Sequence, residues 1–171
     1  MAGQGVYYLF NILKDVPKRY LSSGSRCGSK GKGNKMENQI GKTKDTGFQF
    51  GIRKTIPVSA DKVWSFLFSD SGLDIWLGKL KTDLELEKEF STKNGITGRV
   101  RVIKNNSHIR LNWKPENWEN MSTVQIRVMG NENKATIAIH QEKLFNQEQR
   151  NEMKAHWTRI IGKLTNQMEN Q

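Results

Sequence analysis

Between residues 48 and 140 apolar and polar side chains alternate at a period of two in six stretches, and one long stripe of helical period follows them. That order limits the architecture more than any other feature of the chain. Period-two alternation belongs to a strand with one face buried, and a 3.6-residue stripe belongs to a helix lying on something apolar. In 48-FQFGIRKTI-56 the apolar set is Phe48, Phe50, Ile52 and Ile56, and in 83-DLELEKEF-90 it is Leu84, Leu86 and Phe90. The segments 96–102, 108–113, 123–129 and 135–140 continue the pattern, with Ile96, Val100, Val102, Ile109, Leu111, Trp113, Val124, Ile126, Val128, Ile137 and Ile139 facing inward. Asn94-Gly95 is a hairpin signal, and connections this short predict an antiparallel meander with one wet face. The closing helix has Asn146 as N-cap, Gln149 in the capping-box position and Phe145 as a hydrophobic staple. Its stripe is Met153, Trp157, Ile160, Ile161, Leu164 and Met168, the one element long enough to cover the sheet.

A second helical signal interrupts the strands. Pro57 stops the first strand, Ser59 is a favourable N-cap, and Val63, Trp64, Leu67 and Phe68 share one broad side. The cluster 69-SDS-71 then caps a new short helix through Leu73, Trp76 and Leu77, which Gly78 ends as a C′ glycine. The stretch predicts a bracket of two short helices. It is not a DNA-reading element, since Asp70 and Asp74 on its exposed side would repel phosphate.

A chain of 171 residues is one-domain length, and no apolar run approaches the roughly 18 residues of a membrane span. Cys27 is the single cysteine, which excludes an internal disulfide or a thiolate metal cage and fits a reducing cytoplasm. The net charge of +11 is uneven: residues 1–35 carry +6 and residues 36–171 carry +5. The Gly-, Ser- and Lys-rich stretch 22–35 has no apolar period, so residues 1–45 are expected to be a disordered basic leader to a domain at 46–171. Codons for Lys32, Gly33, Asn34 and Lys35 can form a purine-rich run placed like a bacterial ribosome-binding site, so Met36 is the expected natural start.

The segments 52-IRKTIPVSADKVWSFL-67, 98-GRVRV-102, 109-IRLNW-113 and 152-EMKAHWTRIIGKL-164, in this order and spacing, resemble the START-like helix-grip superfamily. Within it the chain is similar to the group named after the C-terminal domain of the Activator of Hsp-90 ATPase. The resemblance implies an α+β fold in which a curved six-stranded antiparallel sheet wraps a long C-terminal helix, with two short helices after the first strand. It also implies one deep cavity between sheet and helix, used across the superfamily for lipids, hormones or polyketides. The candidate wall is Phe50, Ile52, Trp64, Phe68, Trp76, Val100, Leu111, Trp113, Ile126, Ile139, Trp157 and Ile160. Lys54 and Lys88 each break an inward apolar row and are the candidate contacts for an acidic head group. The separate N-terminal domain of the activator has no counterpart in residues 1–47.

A non-catalytic binding protein for a small apolar or amphipathic molecule is the function expected. A chaperone-associated or other protein-binding module is the alternative, and a cavity enzyme such as a cyclase or hydrolase the weaker one. His108 and His140 take outward parity and His156 lies at the flank of the helix stripe, so no acid–base pair, cofactor or metal is expected inside. Arg53, Arg99, Arg101, Arg110 and Arg127 also take outward parity, but Glu85, Glu87 and Glu89 share that face. The exterior therefore reads as mixed charge, and no nucleic-acid partner is expected.

Overall fold

The computed structural model describes residues 42–43 and 47–170. The expected leader 1–45, with Cys27 and Met36, falls almost entirely outside the described residues. Strand β1 (Lys42–Thr43) adds two residues to the edge of β2 (Gly47–Ile56). Helices α1 (Ala60–Leu67) and α2 (Asp70–Trp76) follow, then β3 (Glu89–Ser91), β4 (Ile96–Lys104), β5 (His108–Pro115), β6 (Ser122–Gly130), β7 (Ala135–Leu144) and α3 (Gln147–Glu169). All pairings are antiparallel, in the order β1-β2-β7-β6-β5-β4-β3. The six expected strands are thus present, with β1 as a short seventh, and the fold is the α+β helix grip. The first long strand closes on the last, and α3 lies across β2 and β7.

Local chemistry sets each boundary. Ser59 accepts from the Lys62 N–H at the start of α1, and Ser69 accepts from the Gly72 N–H at 3.1 Å at the start of α2. The two helices meet so closely that a Cβ on Gly72 would lie 1.9 Å from the Phe66 carbonyl oxygen. Trp76 locks the bracket by donating its indole N–H to the Leu67 carbonyl at 2.9 Å. Gly78 terminates it at φ +100°, its N–H donating to the Leu73 carbonyl, as expected of a C′ residue. The Trp-rich stretch is a plug at the end of the core.

Three expectations are corrected. The segment 83–88 is not strand: Glu87 takes φ +61°, Lys88 N–H returns to the Glu85 carbonyl, and Leu86 is 47% exposed instead of inward. Here the chain bends beside a bulge in β4, whose register with β5 shifts between Val100 and Val102. The bulge turns Val102 outward and gives its inward place to Ile103. Phe145, the expected staple, is 74% exposed. Its N–H instead donates to the Gln149 side chain, while Asn146 accepts from the Gln149 N–H at 2.8 Å. Hydrogen bonding, without apolar clamping, fixes the start of α3.

Candidate functional site between the sheet and the C-terminal helix

Of the twelve expected wall residues, Phe50, Trp64, Trp76, Val100, Leu111, Trp113, Ile126, Ile139, Trp157 and Ile160 are buried in one continuous apolar cluster. Ile52 and Phe68 pack against it half-buried, Phe68 with its ring centroid 4.6 Å from that of Trp64. The structure brings the set together, but as a packed core. Two concavities among the described residues lie elsewhere. One, of about 240 Å³, is lined by Ser59, Ala60, Asp61, Gly130, Asn131 and Glu132. The other, of about 720 Å³, is an open trough between α2 and the end of α3 at Ile75, Lys163, Asn166, Gln167 and Asn170.

Neither lysine stands at an interior mouth. Lys54 holds the inward parity of β2 opposite Ile137, yet its side chain is exposed near the strand end. Lys88 lies outside the strand that was expected to aim it inward, and its ammonium pairs with Glu85 at 2.6 Å on the surface. That removes the geometric premise for its head-group role.

Polar chemistry enters the interior by a different route. Strand β7 runs to Leu144, beyond the expected end, so Gln141 follows Ile137 and Ile139 onto the inner face and is 0% exposed. Its Oε1 accepts from Trp157 Nε1 at 2.6 Å, and its Nε2 donates to Ser122 Oγ at 2.9 Å. Ser122 Oγ in turn donates to the Trp113 carbonyl at 2.7 Å. The relay links α3 to three neighbouring strands.

Beside it stand four rings. Trp113 makes an edge contact with Trp118 at 5.5 Å between centroids and lies 6.1 Å from His156 and 6.4 Å from Trp157. His156 sits edge-on to Trp157 at 4.9 Å. Two polar atoms in this cluster, Trp113 Nε1 and His156 Nε2, are buried without a hydrogen-bond partner. Burial, and secondarily the Arg159 guanidinium, hold the His156 pKa below its ordinary value, so the imidazole is neutral at pH 7. Trp118 comes from the loop 116–121 between β5 and β6, and Asn120 of that loop donates to the Lys143 carbonyl and accepts from Gln149. Sequence reasoning placed Trp113 and Trp157 inside but missed Gln141, Ser122, Trp118 and His156. The signal for His156 was its spacing, three residues after Met153 and four before Ile160.

Among the described residues no three His, Cys, Asp or Glu side chains are grouped to hold a metal ion. None of their helices is long and apolar enough to cross a membrane.

The sheet closed first strand on last, gripping one long helix with a two-helix plug, defines a START-like protein. The family model described as Activator of Hsp90 ATPase homolog 1-like protein matches residues 57–169, and the chain belongs to that family. No curated protein matches it in sequence. Among solved structures it is similar to DynU16, a protein of the dynemicin biosynthetic locus, with 15% identity and a TM-score of 0.64 over 71% of this chain and 47% of that one. The chain thus spans about half the length of DynU16. It is similar to CalU16 from Micromonospora echinospora, with 17% identity and a TM-score of 0.61 over 68% of this chain and 71% of that one. The Aha1 dimer from Colwellia psychrerythraea gives 16% identity and a TM-score of 0.58 over 71% of this chain and 96% of that one. At these identities the likeness is one of fold.

Proposed function

We propose that this chain is a non-catalytic binding protein for a small amphipathic molecule, held where Trp113, Trp118, His156 and Trp157 meet. The supporting observation is the pair of unpartnered polar atoms, Trp113 Nε1 and His156 Nε2, on rings 6.1 Å apart beside the satisfied Gln141–Ser122 relay. An unmade hydrogen bond of a buried group costs about 1–3 kcal/mol, so two on neighbouring rings suit a common partner. Indole N–H only donates, whereas a neutral imidazole nitrogen donates or accepts according to tautomer. A hydroxyl or carboxylic acid meets both, and the aromatic walls suit a flat apolar body. Because the wall set is packed, entry requires the loop 116–121 to lift Trp118 away from Trp113. Lys54 and Lys88 take no part in this site. A cytoplasmic, bacterial setting belongs to the same reading.

The test is calorimetric titration with 2-naphthol, 2-naphthoate and naphthalene. The polar probes are expected to bind about tenfold more tightly than the hydrocarbon, the value of one hydrogen bond, and to lose that advantage in Trp113→Phe and His156→Phe. Equal affinity for all three probes, or no change in the variants, removes the proposal.

A protein-binding role is the second reading. The filled interior favours it, and the description of the matching family names an activator of Hsp90 ATPase.

A further inference from the structure

One register row crosses the outer face of the sheet through five strands. Lys104 of β4 lies opposite His108 of β5, His108 opposite Arg127 of β6, Arg127 opposite Ala138 of β7, and Ala138 opposite Arg53 of β2. Their strand neighbours Ile103, Ile109, Ile126, Ile137, Ile139 and Ile52 turn to the core, so the row points away from α3. Four steps of about 4.8 Å make it roughly 19 Å long.

The row holds three permanent cations and a histidine, and no carboxylate. Arg53, Arg127 and Lys104 form no ion pair among the described residues, whereas Arg99 and Arg101 share Glu87, and Arg110 binds Glu142. The mixed exterior expected from sequence is therefore sorted in space: the acids neutralise the neighbouring arginines and leave this row bare. The cations act on one another's surroundings, because His108 is held below its ordinary pKa by burial first and then by Arg127, Lys104 and Arg110. Ala138 makes a low seat between Arg53 and Arg127.

We propose that this row is a docking surface for an acidic polypeptide segment in extended form. About six extended residues span it. Residues 1–35 of this chain carry +6 and have the wrong sign to occupy it. A nucleic acid fits less well: the outward positions flanking the row are Gly51, His140, Gln125, Arg110 and Val102 on one side and Thr55, Thr136 and Met129 on the other. They offer no Phe, Tyr or Trp on which bases would stack.

The proposal is independent of the interior site, and its test is fluorescence anisotropy of the full chain with labelled hexaglutamate, hexaglutamine serving as the neutral control. Hexaglutamate alone is expected to bind, and to weaken as salt rises. The double variant Arg53→Gln/Arg127→Gln is expected to weaken binding by about tenfold, and Arg99→Gln/Arg101→Gln by less than about threefold. Unaltered binding in the first variant places the attraction elsewhere, including the basic leader, and overturns the proposal. So does absence of binding. An oligothymidylate of equal charge that binds more tightly, and loses its affinity in the same variant, reassigns the row to nucleic acid.

Discussion

Gln141 is the residue whose loss leaves most undone. Replacing it by Met keeps volume but strips both Trp157 Nε1 and Ser122 Oγ of a partner. Ser122 Oγ keeps its bond to the Trp113 carbonyl, so the expected cost is about 1–3 kcal/mol for the indole N–H left unpaired, read as a lower urea midpoint. Trp157→Phe in the same background is expected to cost less than it does alone, since the N–H it removes is then already orphaned. His156 adds a pH dependence. Its folded pKa lies below the ordinary value, so the unfolded chain takes up the proton first. Stability is complete above about pH 6.5 and falls as pH drops below it toward the folded pKa. His156→Phe is expected to flatten that fall in melting temperature. A residual slope of the same sign remains from His108, also lowered chiefly by burial. Parity could assign Trp113, Leu111 and Ile139 to the interior because an apolar side chain on an alternating strand has one favourable side. It could not assign Gln141 or His156. A polar residue gains its place from a partner distant in sequence, and alternation carries no information about partners.

Among elements, the α1–α2 bracket was legible because its signals are local: Ser59 and Ser69 each cap within three residues. The contact that fixes the angle of the bracket, Gly72 against the Phe66 carbonyl, is tertiary and left no pattern. Gly72→Ala must push backbone aside, and is expected to lower stability by about 1–3 kcal/mol in urea unfolding, an ordinary overpacking cost. An unchanged midpoint would show that the helices are free to separate. Segment 83–90 shows the opposite failure. Leu84, Leu86 and Phe90 satisfy the strand period, but a strand also needs a neighbour with free hydrogen-bonding groups. The Val100 pair of backbone bonds goes to Glu87 and Lys88 across a bend, which limits β3 to Glu89–Ser91. Bulges shift register by one residue, and that is enough to exchange Val102 for Ile103 at the core.

On the scale of the molecule, the grip depends on α3, whose Trp157 is fully buried between helix and sheet. Trp157→Ala is expected to cost about 3–5 kcal/mol, measured by urea unfolding, as large aromatic truncations in cores do. A loss below about 1 kcal/mol would mean that the sheet holds its inner face closed without the helix. The overall architecture was the most legible level of all, since six alternating segments and one terminal stripe leave few ways to bury both. What the pattern did not announce is the pairing of β2 with β7, in which Phe48 meets Leu144 and Ile56 meets Ala135. That pairing has a consequence in time. A ribosome releases β2 long before it makes β7, and α3 comes later still. For most of synthesis Phe48, Phe50 and Ile56 therefore wait as an apolar strand with an open edge, the kind of segment that sticks to other chains. Nascent chains arrested before residue 135 should remain protease-sensitive throughout, and those extended past α3 should become resistant in one step.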